Sequence, residues 1–211
     1  MLCELKQTVS ALYAEFVLLA GGAPVGDALF PNNFLFGGPC VCHYYNTEYT
    51  LTYCPAPGHN LSRSVQEREY VPYAIAQNGA ACGQICAKQT GGFLSRYGYV
   101  AMDLFGMQYE MFEVGLGSEG IVWPIYLNGR QVAQLGKPTT VHNNLDEYEI
   151  CALDRQSELA AYLMSLYLDA RSYARRGQVT AASVQKTFLL TTNKKLKAKY
   201  DPTFRERAVH A

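Results

Sequence analysis

The segment Ser157–Arg171, SELAAYLMSLYLDAR, constrains this chain more than any other. From Leu159 to Leu168 it carries no charge, and apolar or tyrosine side chains fall on every side of a helical wheel. A helix that is apolar all round must be buried all round. So short an uncharged run does not span a bilayer, which takes ~20 residues, so protein has to provide the burial. Asp154 or Ser157 can cap the amino end. Arg171, Arg175 and Arg176 complement the helix dipole at the other end, and Gly177 can terminate it. Almost everything upstream reads as β-strand. The expectation is a sheet wrapped around one helix.

The strands are punctuated by turn residues. Leu12–Leu18 alternates loosely, and Gly21-Gly22, Pro24 and Gly26 break it. Asn32-Asn33 and Gly37-Gly38-Pro39 are turn clusters. Cys40–Tyr45 and Tyr49–Tyr53 flank Asn46-Thr47, and Tyr49, Leu51 and Tyr53 share one face by the period of two. Pro55–Ser64 is a polar loop. Asn78-Gly79 and Asn128-Gly129 each separate two apolar runs, and both residue types tolerate positive φ, so both predict tight hairpins. Gly91-Gly92, Gly106 and Gly115–Gly120 mark further turns, and Gly136-Lys137-Pro138 ends a strand. After the turn at Asn143-Asn144, Glu147–Leu153 is the last strand before the helix, with Tyr148 and Ile150 on one face and Glu147 and Glu149 on the other, solvated one. Phe188–Thr192 offers one late strand. Short strands at this spacing predict a meandering antiparallel sheet, closed as a barrel or folded as a sandwich, and closure removes exposed edges.

With no repeat or low-complexity linker to divide it, the chain is expected to form a single domain over 1–211. The buried helix covers about 157–172 and a basic segment covers 173–211. The zero net charge hides an asymmetry: residues 1–170 hold 8 Lys+Arg against 16 Asp+Glu, and residues 171–211 hold 10 against 2. Either the tail packs across an acidic barrel, or it offers a basic surface to an anionic partner. The seven cysteines follow no regular framework, and the first apolar run, Val9–Gly22, contains Glu15 and lacks a basic lead. A cytoplasmic protein with reduced thiols is expected.

Chemical motifs are weak. Gly115, Gly117 and Gly120 spell G-x-G-x-x-G, but a strand follows where the dinucleotide fingerprint requires a helix. Gly136-Lys137 fails as a phosphate loop, with Gln131 in place of the first glycine and Pro138 in place of Ser or Thr. Cys40, Cys42 and His43, with Cys54 and His59 downstream, lack the two-to-four-residue spacing that zinc sites prefer. No histidine stands in a nucleophile motif. No metal or cofactor is expected. The basic residues Arg175, Arg176, Lys194, Lys195, Lys197 and Lys199, with Phe188, Tyr200 and Phe204 nearby, form the candidate anion-binding set. Charge with stacking suits single-stranded nucleic acid, and charge alone suits anionic lipid head groups. The lipid surface is the partner expected, and nucleic acid is not.

Tyr109–Asp154, YEMFEVGLGSEGIVWPIYLNGRQVAQLGKPTTVHNNLDEYEICALD, resembles the core of the tubby C-terminal-like superfamily, which includes LURP-one-related proteins, scramblases and many bacterial proteins. The likeness lies in a glycine turn, a hairpin with an alanine-bearing strand, then KP and an NNLDEY strand into a helix. DARSYARRG and NKKLKAKYDPTF are similar to the endings of the bacterial members. The resemblance implies a closed antiparallel barrel of about a dozen strands around one central apolar helix near the carboxyl end, and phosphoinositide binding through basic residues on the barrel. It implies no catalytic residues. The functional expectation is a non-enzymatic cytoplasmic binding or scaffold module with weak affinity for anionic lipid. The alternative is an enzyme with a hydrolase-type site at the barrel mouth.

Overall fold

Alternation of side chains, carried from strand to strand by tight turns, closes the sheet. The computed structural model describes residues 1–10, 13–31, 38–54, 72–90, 97–143, 145–173, 184–186 and 188–210. The turns at Asn32-Asn33, Gly37 and Gly91-Gly92, the loop Pro55–Ser64, and Asn144, Arg175, Arg176 and Gly177 lie outside the described residues.

The wall is built from β1 (Leu2–Ser10), β2 (Tyr13–Ala20), β3 (Ala23–Pro31), β4 (Cys40–Tyr44), β5 (Thr47–Tyr53), β6 (Tyr73–Gln77), β7 (Ala80–Thr90), β8 (Tyr97–Leu104) and β9 (Met107–Phe112). Three more strands complete it, β11 (Ile121–Leu127), β12 (Arg130–Lys137) and β14 (Glu147–Ala152). Each pairs antiparallel with its neighbours, β9 with β11, β12 with β14, and β14 with β1, so twelve strands form a closed barrel. Closure leaves no unpaired edge in the ring. Between β9 and β11 lies β10 (Val114–Gly117), which pairs with the outer part of β11 and, on its far side, with β16 (Leu189–Leu190). A separate two-stranded ribbon joins β13 (Thr140–His142) to β15 (Val184–Lys186).

The inward faces read as a period of two. Leu5 pairs with Tyr148 and Trp123 with Leu135, and all four are buried. The turns at Asn78-Gly79 and Asn128-Gly129 form as expected, with positive φ at both residues. In the β4–β5 hairpin the turn is Tyr45-Asn46, one residue earlier than the Asn46-Thr47 expected. Tyr45 takes φ +52, and its ring lies edge-on to Tyr44 and under the Arg155 guanidinium, which holds this unusual conformation in place.

Leu2–Ser10 is a full strand for which the sequence offered no expectation. One expectation needs correction. Pro24 and Gly26 do not break the sheet but lie within β3, next to a register shift at Leu18/Leu19. A bulge tolerates proline where the ladder is already interrupted. Gly26 admits a close approach, since a Cβ there would sit 2.4 Å from the His43 carbonyl oxygen.

Helix α1 runs from Arg155 to Leu168, with Asp154 as its cap, accepting from the Ser157 N–H at 2.7 Å. Every residue from Ser157 to Leu168 is buried, as the uncharged run required. Three of its polar side chains reach widely separated strands. Tyr162 donates to the Asp27 carbonyl of β3 at 2.6 Å, Tyr167 accepts from the Ala87 N–H of β7 at 2.9 Å, and Glu158 accepts from the Tyr44 phenol of β4 at 2.8 Å. The chain then passes into a π-helical turn, Asp169–Tyr173.

Two short helices follow, α2 (Lys194–Lys197) and α3 (Phe204–Val209). Phe204 and Ala208 bury a small second core against Cys151 on the outside of β14. None of the seven cysteines is in a disulfide. Among the described residues, no helix is long and apolar enough to cross a membrane.

Candidate functional site

Three features lie on the β11–β12–β14–β1 side and its tail: an outer groove, a buried polar centre behind its wall, and a basic edge. The groove encloses about 530 Å³, within the range of small-ligand clefts. Its wall is the outward face of the barrel, where the strand period that turns Leu135 and Ile150 inward turns Gln134, Glu147 and Glu149 outward. Leu116 and Val122, both half-buried, provide apolar surface, and the tail closes one side with Tyr200, Pro202 and Arg205. Arg205 grips Glu149 through two parallel hydrogen bonds, Nε to Oε1 at 2.7 Å and Nη2 to Oε2 at 2.8 Å. That fork is the preferred guanidinium–carboxylate geometry, and it holds the Glu149 carboxyl below its ordinary pKa. Lys6 pairs with Glu4 at 2.8 Å. Glu119 and Glu147, both exposed, have no ion pair among the described residues.

Behind the wall, Lys137, Asp146, Tyr148 and Asp169 meet. Lys137 was expected at a strand-ending turn, but it is the last residue of β12 and its side chain is 1% exposed. It faces inward because it follows Ala133 and Leu135 at steps of two. Its ammonium donates to Asp146 and lies 4.6 Å from the centre of the Tyr148 ring. The Gln7 side chain of β1 accepts from the Asp146 N–H at 3.0 Å, and the Gln7 backbone N–H donates to the Asp146 carbonyl at 2.8 Å. Tyr148 donates to Asp169 Oδ1 at 2.8 Å. Burial and the neighbouring Asp146 charge push Asp169 up to about 7. On the same side, burial raises Glu113, which accepts from the Trp123 indole at 3.3 Å. One hint of this centre stands in the sequence: Asp169 is the sole acid in the apolar helical run after Glu158. Lys137 was visible only through strand parity.

The candidate anion-binding residues divide. Lys194, Lys195 and Lys197 are exposed on α2, which Asn193 caps through its side chain. Lys199 lies against the barrel, its ammonium 4.4 Å from the centre of the Phe112 ring and 4.8 Å from that of Tyr126. The Tyr126 phenol donates to the Lys199 carbonyl at 2.7 Å. Arg175 and Arg176 are outside the described residues. Close to α2 in sequence the chain exposes Val184, Phe188 and Leu190 at 59%, 70% and 57%.

The other motifs resolve structurally. Cys40 and Cys42 both point into the core, while His43 points outward to Asp27 at 2.9 Å. Cys54 is exposed, and His59 lies outside the described residues. Among the described residues, no group of three His, Cys, Asp or Glu could hold a metal. Gly115 and Gly117 belong to β10, with no helix following. No protein-family model, curated protein or solved structure matches the chain.

Proposed function

We propose that this chain is a non-enzymatic, cytoplasmic binding module of the tubby C-terminal-like kind, in which α1 fills the barrel lumen and function is carried on the outside. The burial of α1 on every side and its tyrosine contacts to β3 and β7 support a filled lumen. The seven free thiols suit a reducing compartment. The outer surface that fits an anionic lipid interface is the edge formed by β15, β16 and α2. One observation carries this: three apolar side chains, Val184, Phe188 and Leu190, stand more than half exposed in the same stretch of chain as the exposed Lys186, Lys194, Lys195 and Lys197. Apolar insertion combined with charge is what interfacial segments use. Each lysine near an anionic surface contributes ~1 kcal/mol, which sums to weak association. Lys199 serves as the anchor that holds this edge to the barrel.

Co-sedimentation with phosphatidylserine or phosphoinositide vesicles tests the reading. The wild type is expected to pellet at low salt and to be released at high salt, since exposed charges are screened beyond ~8 Å at physiological ionic strength. Replacement of Lys194, Lys195 and Lys197 by Ala, or of Phe188 and Leu190 by Ser, should weaken pelleting. Equal pelleting of wild type and both variants, or none at low salt, removes the lipid assignment.

The enzyme reading rests on the buried acid Asp169 behind the groove. A hydrolase-type centre needs a reacting group open to substrate, and here the lysine, tyrosine and two carboxylates satisfy one another. Hydrolysis of a chromogenic ester or phosphate, abolished by Asp169→Asn, would instead establish that reading.

A further inference from the structure

Four aromatic rings gather on the outer wall of the barrel. The strand period that turns Tyr109 and Met111 inward turns Phe112 outward at the end of β9, and it does the same for Tyr97 and Tyr99 of β8 and for Tyr126 of β11. Phe112 stands at their centre and belongs to neither hydrophobic core. Tyr99, its partner across the ladder, stacks on it at 5.7 Å, and Tyr97 is tilted against it at 6.1 Å. Tyr126 meets it at 77°, with ring centres 5.9 Å apart, so these two rings form the walls of a corner. Beside the corner a hollow of about 280 Å³ is lined by Lys88, Tyr99, Gln108 and Glu110.

The corner already holds a cation. The Lys199 ammonium lies 4.4 Å from the centre of the Phe112 ring and 4.8 Å from that of Tyr126, where ring faces attract positive charge. The Tyr126 phenol donates to the carbonyl oxygen of the same residue at 2.7 Å. One residue is thus read twice, by its side-chain charge and by its backbone. Lys137 and Arg207 also lie on rings, but each grips a carboxylate as well. Lys199 has no carboxylate partner among the described residues. Its hold is also shallow, since Lys199 is only half-buried and α2, just before it, buries none of its residues. Lifting this part of the tail gives up little apolar burial, and it opens a corner shaped for a lysine within a peptide chain.

We propose that the Phe112–Tyr126 corner is a binding site for a lysine of a partner peptide, with the ammonium on the two ring faces and the lysine's own carbonyl accepting from the Tyr126 phenol, and that Lys199 is the chain's stand-in, which keeps the site closed until a partner displaces it. The closure is mild. A tethered residue competes at the effective concentration its linker sets, and it lowers the apparent affinity for an outside ligand by the fraction of time the corner stands open. The hollow beside Tyr99 and Glu110 gives room for a residue flanking the lysine. The assignment is independent of lipid binding, because none of the four rings belongs to the β15–β16–α2 edge and no vesicle enters its test.

The test is titration of the full chain, isotope-labelled, with acetyl-Ala-Lys-Tyr-amide, which repeats residues 198–200, followed by amide and aromatic shifts. The same peptide with norleucine for lysine removes the charge and keeps the stem, and n-butylammonium is the side chain without a carbonyl. The wild type and Lys199→Ala, the open form, are compared. The expected result is saturable shifts at Phe112, Tyr126 and Tyr99 with the lysine peptide and none with the norleucine peptide. Lys199→Ala should bind roughly twofold to thirtyfold tighter than the wild type, the range by which one cation–π contact shifts an equilibrium. In the Lys199→Ala background, Tyr126→Phe keeps the ring and removes the donor, so it should weaken the peptide and leave n-butylammonium unchanged. Tyr13→Leu, at an exposed ring on β2, should change nothing. Each variant is first matched to the wild-type spectrum away from the corner, which shows that the barrel is intact. In the wild type, whose fold is not in question, the lysine peptide should also shift the amides of residues 198–200 as it displaces them. The proposal is overturned if the lysine peptide gives no saturable shifts with Lys199→Ala, if the norleucine peptide or n-butylammonium matches it in place and strength, or if the wild type binds it as tightly as Lys199→Ala does.

Discussion

Tyr148 and Asp169 tie the last strand of the barrel to the end of its buried helix: the phenol donates to Asp169 Oδ1 at 2.8 Å, and both side chains are almost fully enclosed. Two carboxylates, Asp169 and Asp146, share this space with one ammonium, Lys137. One acid must therefore hold a proton or accept an uncompensated buried charge.

The consequence is a pH dependence of known sign. Asp169 is raised to about 7, chiefly by burial and then by Asp146. The folded state therefore binds the proton more tightly than the unfolded chain, whose aspartate titrates at about 4. Between those values the folded state holds more protons, so stability falls as pH rises, by up to about 1.4 kcal/mol per pH unit, and levels off above the folded value. Asp169→Asn removes this slope and keeps an acceptor for Tyr148. Urea denaturation of both proteins at pH 5, 6, 7 and 8 measures it. A difference between them that stays constant with pH would show that Asp169 does not titrate in this window.

Leu163 sits at the middle of α1 with no exposed surface. Leu163→Ala is expected to cost ~2–5 kcal/mol, the transfer term plus the cavity left in a close-packed interior. Leu163→Asp places a charge where no described cation faces it and should prevent folding. Chemical denaturation of the first and soluble expression of the second are the checks. A soluble Asp variant with unchanged melting contradicts full burial of the helix.

Two glycines separate backbone strain from steric contact. Gly129 has φ +77, and a Cβ there would meet nothing within 4 Å, so Gly129→Val should cost ~1 kcal/mol or more through conformation alone. A Cβ at Gly115 would lie 2.3 Å from the Leu189 carbonyl oxygen. Gly115→Ala should therefore displace β16 while leaving the twelve-strand ring paired. Hydrogen exchange would show lost protection of the Thr191 N–H, which donates to the Gly115 carbonyl at 3.0 Å, with β1–β9 unaffected. Equal protection in the two proteins would mean that the strand shifts without parting.

What could be read from the chain was local. Asn78-Gly79 and Asn128-Gly129 need only their own φ angles, and Leu159–Leu168 needs only its own lack of charge, so hairpins and a buried helix were legible. The closed ring of about a dozen strands is as expected, but strand spacing alone left barrel and sandwich open, because β1 meets β14 from far along the chain, pairing Leu2 with Cys151 and Leu5 with Tyr148, and no local pattern encodes that register. Pro24 and Gly26 misled because a bulge and a close neighbour, His43, reverse their usual meaning. The groove depends on Arg205 reaching Glu149 across 56 residues. The same basic tail that reads as a solvated run is, at Lys199 and Arg205, part of the barrel's outer covering.

That covering gives the last prediction. Lys199 has no carboxylate partner among the described residues. Its charge rests on the faces of Phe112 and Tyr126, while Tyr99 stacks on Phe112 at 5.7 Å and 22°. Phe112 is outward-facing yet 3% exposed, because the rings of Tyr97, Tyr99 and Tyr126 and the strap of chain from Thr191 to Tyr200, through Lys199, cover it together. Lys199→Met retains a chain of similar length and removes the charge, which isolates the cation–π part, ~0.5–2 kcal/mol by its degree of desolvation. Lys199→Ala removes the cover as well and should cost more. Lys199→Arg should preserve the contact, because guanidinium also stacks on aromatic faces. The measurements are global stability by urea and the protease sensitivity of the segment from Thr191 to Tyr200. Sensitivity should rise in the order wild type and Arg, then Met, then Ala. If Met and wild type are cut at the same rate, the ring contacts hold the strap by packing alone and the charge contributes nothing.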